Sequence, residues 1–98
     1  MEKIIYTFQA TKAINKRVHV GVVGSGDLEI IMEPSNDLNT QVMIRTGING
    51  FKETWEAVLQ RFFEKHDVAA LVKINDFGAT PGVVTLRLEQ ALEVSRNE

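Results

Sequence analysis

One stretch of this sequence leaves little choice of structure. Phe51, Trp55, Val58, Leu59, Phe62 and Phe63 recur at i, i+4, i+7, i+8, i+11 and i+12, which stacks their side chains on one face of a helix. Asn49 stands where an N-cap belongs, and Lys65 and His66 suit the negative pole at the far end. The spacing therefore predicts a helix with this whole stripe turned to a core. A single amphipathic helix must bury its face against something else, and the rest of the chain offers strands. Ile4, Tyr6 and Phe8 alternate with Ile5, Thr7 and Gln9; Val18, Val20 and Val22 with Arg17, His19 and Gly21; Leu28, Ile30 and Met32 with Glu29, Ile31 and Glu33. Period-two alternation is the mark of half-buried strands.

Residues 11–16 form a polar connection, and Gly24-Ser25-Gly26-Asp27 between the second and third runs reads as a hairpin tip. Pro34-Ser35-Asn36-Asp37 is a turn cluster, followed by a fourth strand through Gln41-Val42-Met43-Ile44-Arg45. Residues 68–74, apolar apart from Lys73, fit a buried strand. At the end of the chain, Thr80 and Pro81 make an N-cap and first helical residue. Val84, Leu88, Ala91 and Leu92 lie at helical spacing, although Val84, Leu86 and Leu88 also alternate with Thr85 and Arg87 as a strand would; length and the continuation to Val94 favour the helix. The predicted order is β-β-β-β-α-β-α. That is an α+β two-layer domain, a mostly antiparallel sheet with two helices packed on one face. Ninety-eight residues make a single domain, 1–98, with little material left for an enclosed active site.

The same residues exclude much chemistry. Without cysteine there is no disulfide, thiolate metal site or cysteine nucleophile. Eleven Lys and Arg against thirteen Asp and Glu, with no long basic run, argue against nucleic acid. No stretch approaches the length of a membrane span, and the start MEKIIYTFQATKAINKR lacks the form of a signal peptide, so a cytoplasmic protein is expected. His19 and His66 have no serine or carboxylate at motif spacing and read as a surface strand residue and a helix-end residue. Glu53, Glu56, Glu89 and Glu93 read as solvated helix charge. Asp76-Phe77-Gly78 spells a kinase triplet without the other kinase elements; it reads as a loop in which Asp76 caps the turn. Gly78-Ala79-Thr80-Pro81-Gly82 lacks the Gly-Lys-Ser/Thr ending of a phosphate-cradling loop. Nothing forms a nucleophile–base set, so the chain does not read as an enzyme.

Gly24-Ser25-Gly26-Asp27 stands apart. One glycine suffices for a hairpin turn; two, flanking a serine, leave its hydroxyl unshielded. Such a serine is an accessible acceptor for a bulky phosphodiester-linked group, with Asp27 available to orient the hydroxyl or bind a cation during transfer. A free serine hydroxyl is a weak nucleophile, so activation falls to the modifying enzyme. By spacing alone, an ordinary hairpin tip is the favoured reading. Arg17, His19, Asp27 and Glu29 are the first docking candidates beside the tip.

Three blocks, Val23-Gly24-Ser25-Gly26-Asp27-Leu28-Glu29, the run from Asn75-Asp76-Phe77-Gly78 through Ala79-Thr80-Pro81-Gly82-Val83-Val84, and Leu86-Arg87-Leu88-Glu89-Gln90-Ala91-Leu92, occur in this order. With them the chain resembles, over its full length, the acyl carrier (delta) subunit of biotin-independent bacterial malonate decarboxylases. The citrate lyase acyl carrier subunit is a related family with a similar Ser-Gly-Asp; the sequence after Asp76 favours malonate. The resemblance implies a non-catalytic carrier in malonate catabolism. It implies a phosphopantetheine-type prosthetic group, 2'-(5''-phosphoribosyl)-3'-dephospho-CoA, on the residue matching Ser25, with Gly24, Gly26 and Asp27 presenting it. The group's thiol would carry acetyl, exchange it for malonyl and present malonyl for decarboxylation. The implied partners are the acyl carrier transferase and malonyl-carrier decarboxylase subunits, the holo-carrier synthase and the malonyl transferase. The other reading is an unmodified α+β interaction or regulatory domain in which Ser25 is only a turn residue.

Overall fold

A computed structural model describes residues 2–22, 24 and 26–96. Seven elements follow in the predicted order: β1 (Glu2–Gln9), β2 (Val18–Gly21), β3 (Leu28–Pro34), β4 (Asn39–Thr46), α1 (Lys52–Lys65), β5 (Ala70–Asp76) and α2 (Pro81–Arg96). The strands form one sheet in the order β1-β4-β5-β3-β2. All neighbours are antiparallel except β4 and β5, and α1 makes the crossover that a parallel pair requires.

The alternation read from the sequence puts Ile4, Val18, Leu28, Ile30, Met32, Val42, Ile44, Val72 and Ile74 on one face of the sheet, all buried. Trp55, Leu59 and Phe62 from α1 and Val84, Leu88, Ala91 and Leu92 from α2 close over them in one core. Truncating a fully buried side chain such as Leu59 to alanine costs about 2–5 kcal/mol. The opposite face, with Lys3, Ile5, Gln41, Arg45, Leu71 and Lys73, is exposed. No described helix is long and apolar enough to cross a membrane.

Four local expectations are corrected. The strand expected over residues 68–74 begins at Ala70, and Leu71 is exposed. With helices on one side only, β5 buries every second residue rather than all of them. Asn49 does not cap α1: the N-cap is Phe51, without a side-chain cap bond, because Gly50 turns the chain at φ +90 and the Trp55 N–H closes the first turn onto the Phe51 carbonyl. Phe51 thereby leaves the core stripe and is half exposed. Val22 does not share the face of Val18, because Gly21 turns the chain out of β2 at φ +85 and leaves Val22 exposed. Within the connection 11–16, Ile14 is buried and Ala13 bridges to Ala69. The predicted start of α2 holds: Thr80 Oγ1 accepts from the Val83 N–H at 3.3 Å.

Candidate functional site

The glycine-flanked segment sits at the hairpin end of the central strands, and backbone bonds frame it. β2 and β3 pair as far as Gly21 opposite Glu29. A β-carbon on Gly21 would lie 2.1 Å from the Leu28 carbonyl oxygen, so only glycine fits this base. Further out, the Asp27 N–H donates to the Gly24 carbonyl at 3.2 Å and closes the turn. The Gly26 N–H donates to the Phe77 carbonyl at 2.7 Å and the Phe77 N–H to the Asp27 carbonyl at 2.8 Å. These two bonds continue the β3 and β5 ladder beyond Leu28 and Asp76.

Side chains fasten the same frame from α2 and β4. Asp27 Oδ1 accepts from its neighbour's N–H, that of Leu28, at 2.7 Å, and from Arg87 Nε at 3.2 Å; Asp27 Oδ2 accepts from Arg87 Nη2 at 2.8 Å. This two-pronged guanidinium contact holds the Asp27 carboxyl below its ordinary pKa, with the Leu28 N–H adding to the effect, and raises that of Arg87 in return. Arg87 Nη1 also donates to Gln90 Oε1, one turn on, at 2.8 Å. Asp76, buried at the end of β5, accepts from the Ala79 N–H at 2.9 Å and from Thr46 Oγ1 at 2.8 Å. It thus caps the turn that leads into α2, as its place in the sequence suggests.

Ser25 lies outside the described residues, and so does Val23; the site is known through its flanks. A β-carbon built on Gly24 or Gly26 meets no atom within 4 Å. Each of these two glycine positions thus has room for a small side chain. Gly26 needs glycine for its backbone, at φ +78, whereas Gly24 does not.

His19 Nε2 lies 2.9 Å from Glu29 Oε2, and Asn75 Nδ2 donates to Glu29 Oε1 at 2.8 Å. Of the docking candidates, Asp27 and Glu29 stand at the tip end of β3. Arg17 precedes β2 at its remote end and does not flank the tip. His66 packs against Phe62 at the end of α1, and Glu53, Glu56, Glu89 and Glu93 are exposed. Behind the tip, Thr46, Ile48, Trp55, Ala79 and Val84 help line an apolar cleft of ≈ 420 Å³, in which Asp76 is the sole described titratable group. No cluster able to hold a metal ion occurs among the described residues.

Sequence reasoning missed Arg87, Phe77 and Gly21. Arg87 left one signal, a cation three residues before Gln90 in a helix whose neighbouring positions are apolar. Phe77 left none, because it contributes through its backbone.

Residues 15–95 match the family described as malonate decarboxylase delta subunit (MdcD). The chain is 46% identical over 98 residues to the malonate decarboxylase acyl carrier protein of Azotobacter vinelandii, covering 99% of each. It is 44% identical over 94 residues to that of Stutzerimonas stutzeri, covering 95% of each. Among solved structures it is similar to one chain of a Pseudomonas malonate decarboxylase hetero-tetramer in complex with malonate, with a TM-score of 0.92, 42% identity, and 97% and 99% of the two chains covered.

Proposed function

The chain belongs to the malonate decarboxylase delta-subunit family, and from that premise we propose that it works through Ser25, as the point where 2'-(5''-phosphoribosyl)-3'-dephospho-CoA is attached. It is an acyl carrier subunit of malonate decarboxylase. When attached, the group supplies a terminal thiol that carries acetyl and malonyl as thioesters. The chain's own residues do something simpler. Gly24 and Gly26 leave room on either side of the acceptor. Asp27, committed to Arg87 and the Leu28 N–H, fixes where the segment leaves the sheet.

The observation that carries the proposal is this contrast, a segment clamped at its base and open at its flanks. A fixed base and a free tip are what a tether needs: the base sets the direction of delivery, and the tether raises the effective concentration of its cargo at a partner's site. With the Asp27 carboxylate engaged in the frame, activation of the serine hydroxyl is left to the modifying enzyme, the holo-carrier synthase. The carrier itself is non-catalytic. It assembles with the other decarboxylase subunits, and the carrier transferase, the malonyl-carrier decarboxylase and the malonyl transferase act on its loaded form. The reading includes a cytoplasmic setting.

Intact mass tests it. Chain coexpressed with its cognate synthase and nucleotide donor gains the mass of the group, and Ser25→Ala abolishes the gain. An unshifted wild-type mass under those conditions leaves an unmodified interaction domain in its place.

A further inference from the structure

The exposed face of the sheet carries a charge arrangement that the fold does not need. Lys3 on β1 lies directly opposite Arg45 on β4, and Lys73 on β5 lies opposite Met43 of the same strand. All three are exposed, on the face away from the helices. Like charges opposed across an antiparallel pair weaken it. Neither described ion pair, His19 with Glu29 or Arg87 with Asp27, relieves these three cations. The nearest acid in the row, Glu29, is taken up by His19 and Asn75. In a chain of net charge −2 this is a local reversal of sign.

The cations also surround a hollow. Lys3, Met43, Arg45, Lys73, Ile74 and Asn75 line a depression of ≈ 370 Å³. It lies in register with the carrier segment, since Lys3, Arg45, Asn75, Glu29 and Gly21 form one row across all five strands, from β1 to the base of the hairpin. Two strand spacings, roughly 10 Å, separate the Arg45 position from that of Glu29. We propose that this hollow is a docking site for the diphosphate-bearing nucleotide portion of the prosthetic group, with Lys3, Arg45 and Lys73 on the phosphates and Asn75 and Met43 beneath the remainder.

This rests on the carrier reading and deepens it: the anionic stretch of the tether lies along the sheet, and the thiol end is left to reach the partners. Lysine and arginine around a concave surface recognise phosphate by charge and by multiple N–H donors. The same chemistry would take a free nucleotide diphosphate before attachment.

The test uses the full-length Ser25→Ala chain, so that binding is read independently of attachment. Isotope-labelled protein is titrated with 3'-dephospho-CoA, with ADP, and with phosphate-free pantetheine. Saturable amide shifts at Lys3, Arg45, Lys73 and Asn75 are expected with dephospho-CoA, weaker ones with ADP, and none there with pantetheine. Raising the salt should weaken the binding steeply, and Lys3→Gln/Arg45→Gln/Lys73→Gln should weaken it at least tenfold with its thermal transition intact. Shifts located elsewhere, or binding indifferent to the triple variant, would overturn the site. So would a triple variant that loses the other decarboxylase subunits while dephospho-CoA shifts none of these amides, since the patch would then be serving an acidic protein surface. Failure of the mass test with success here, or the reverse, separates this inference from the attachment at Ser25.

Discussion

The central strand β5 has an aspartate-organised loop beyond each end, and the two loops differ instructively. Before β5, Asp67 accepts from the Thr11 N–H at 2.6 Å, from the Lys12 N–H at 3.3 Å and from the Thr11 hydroxyl. The Ala69 N–H adds a bond to the Lys12 carbonyl at 2.8 Å. Beyond the other end, Asp27 is held by its own neighbour's N–H and by Arg87 from α2. The two carboxyls share one electrostatic signature: both lie below the ordinary aspartate pKa, because donors favour the charged form, Thr11 foremost for Asp67 and Arg87 foremost for Asp27. Their arrangement differs. Asp67 sews two segments of backbone to each other. Asp27 is anchored only at the root of a turn whose flanking glycines stand open. The same direction of shift thus accompanies a closure at one end and a turn with open glycine positions at the other.

The largest effect is expected at the root of the presenting end. Gly21→Ala places its β-carbon on the Leu28 carbonyl in a left-handed backbone, and should cost about 2–4 kcal/mol from conformational and steric terms together. Urea unfolding measures it. The closed end offers no counterpart, since residues 11–16 contain no glycine. A loss below 1 kcal/mol would mean that the hairpin base relaxes easily and the root is not rigid.

A second pair of variants separates closure from presentation. Asp67→Ala strips a carboxylate from two backbone donors and should lower the melting temperature more than Arg87→Ala does. Arg87→Ala should instead slow modification of Ser25 by the synthase several-fold, read as an intact-mass time course, while Asp67→Ala leaves that rate near wild type. Equal modification rates would remove the distinction between the two ends.

What the sequence disclosed and what it hid follow the same division. Period-two and helical spacings fixed the element order, the helix-covered face and the start of α2, because each depends on near neighbours. Ser25 was singled out by its local glycines and by resemblance to a family, and it lies outside the described residues. Arg87 lies sixty positions from the carboxylate it grips, and the opposition of Lys3 to Arg45 exists only once β1 and β4 are in register. Those facts belong to long-range pairing. The exposed faces of Phe51 and Leu71 were misjudged for a related reason: apolar character sets a tendency to be buried, but the number of layers decides how many sides can be.

Acid tests whether the two aspartates really act alike. Each has a folded pKa below its unfolded value near 3.9, so its contribution is complete above about pH 4 to 5 and is lost as the pH falls through the folded value. Unfolding free energy measured from pH 7 downward should therefore decline at the acid end, and Asp27→Asn and Asp67→Asn should each flatten that decline. If only one of them does, the shared signature is misleading and one end is held by contacts other than charge.

The smallest expected effect tests the open tip itself. Gly24 lies outside the left-handed region and a β-carbon there meets nothing within 4 Å. Gly24→Ala should therefore change stability by no more than about 0.5 kcal/mol. Gly26→Ala, at φ +78, should cost about 1–2 kcal/mol although its surroundings are equally empty. The two glycines then separate shape from space: one is required by the backbone of the turn, the other only by what must approach the residue between them. Gly24→Ala should accordingly leave the melt unchanged and still slow modification at Ser25. A melt and a modification rate that both stay at wild type would mean that the room beside Gly24 is incidental, and that the turn chemistry of Gly26 and Asp27 suffices to present the serine.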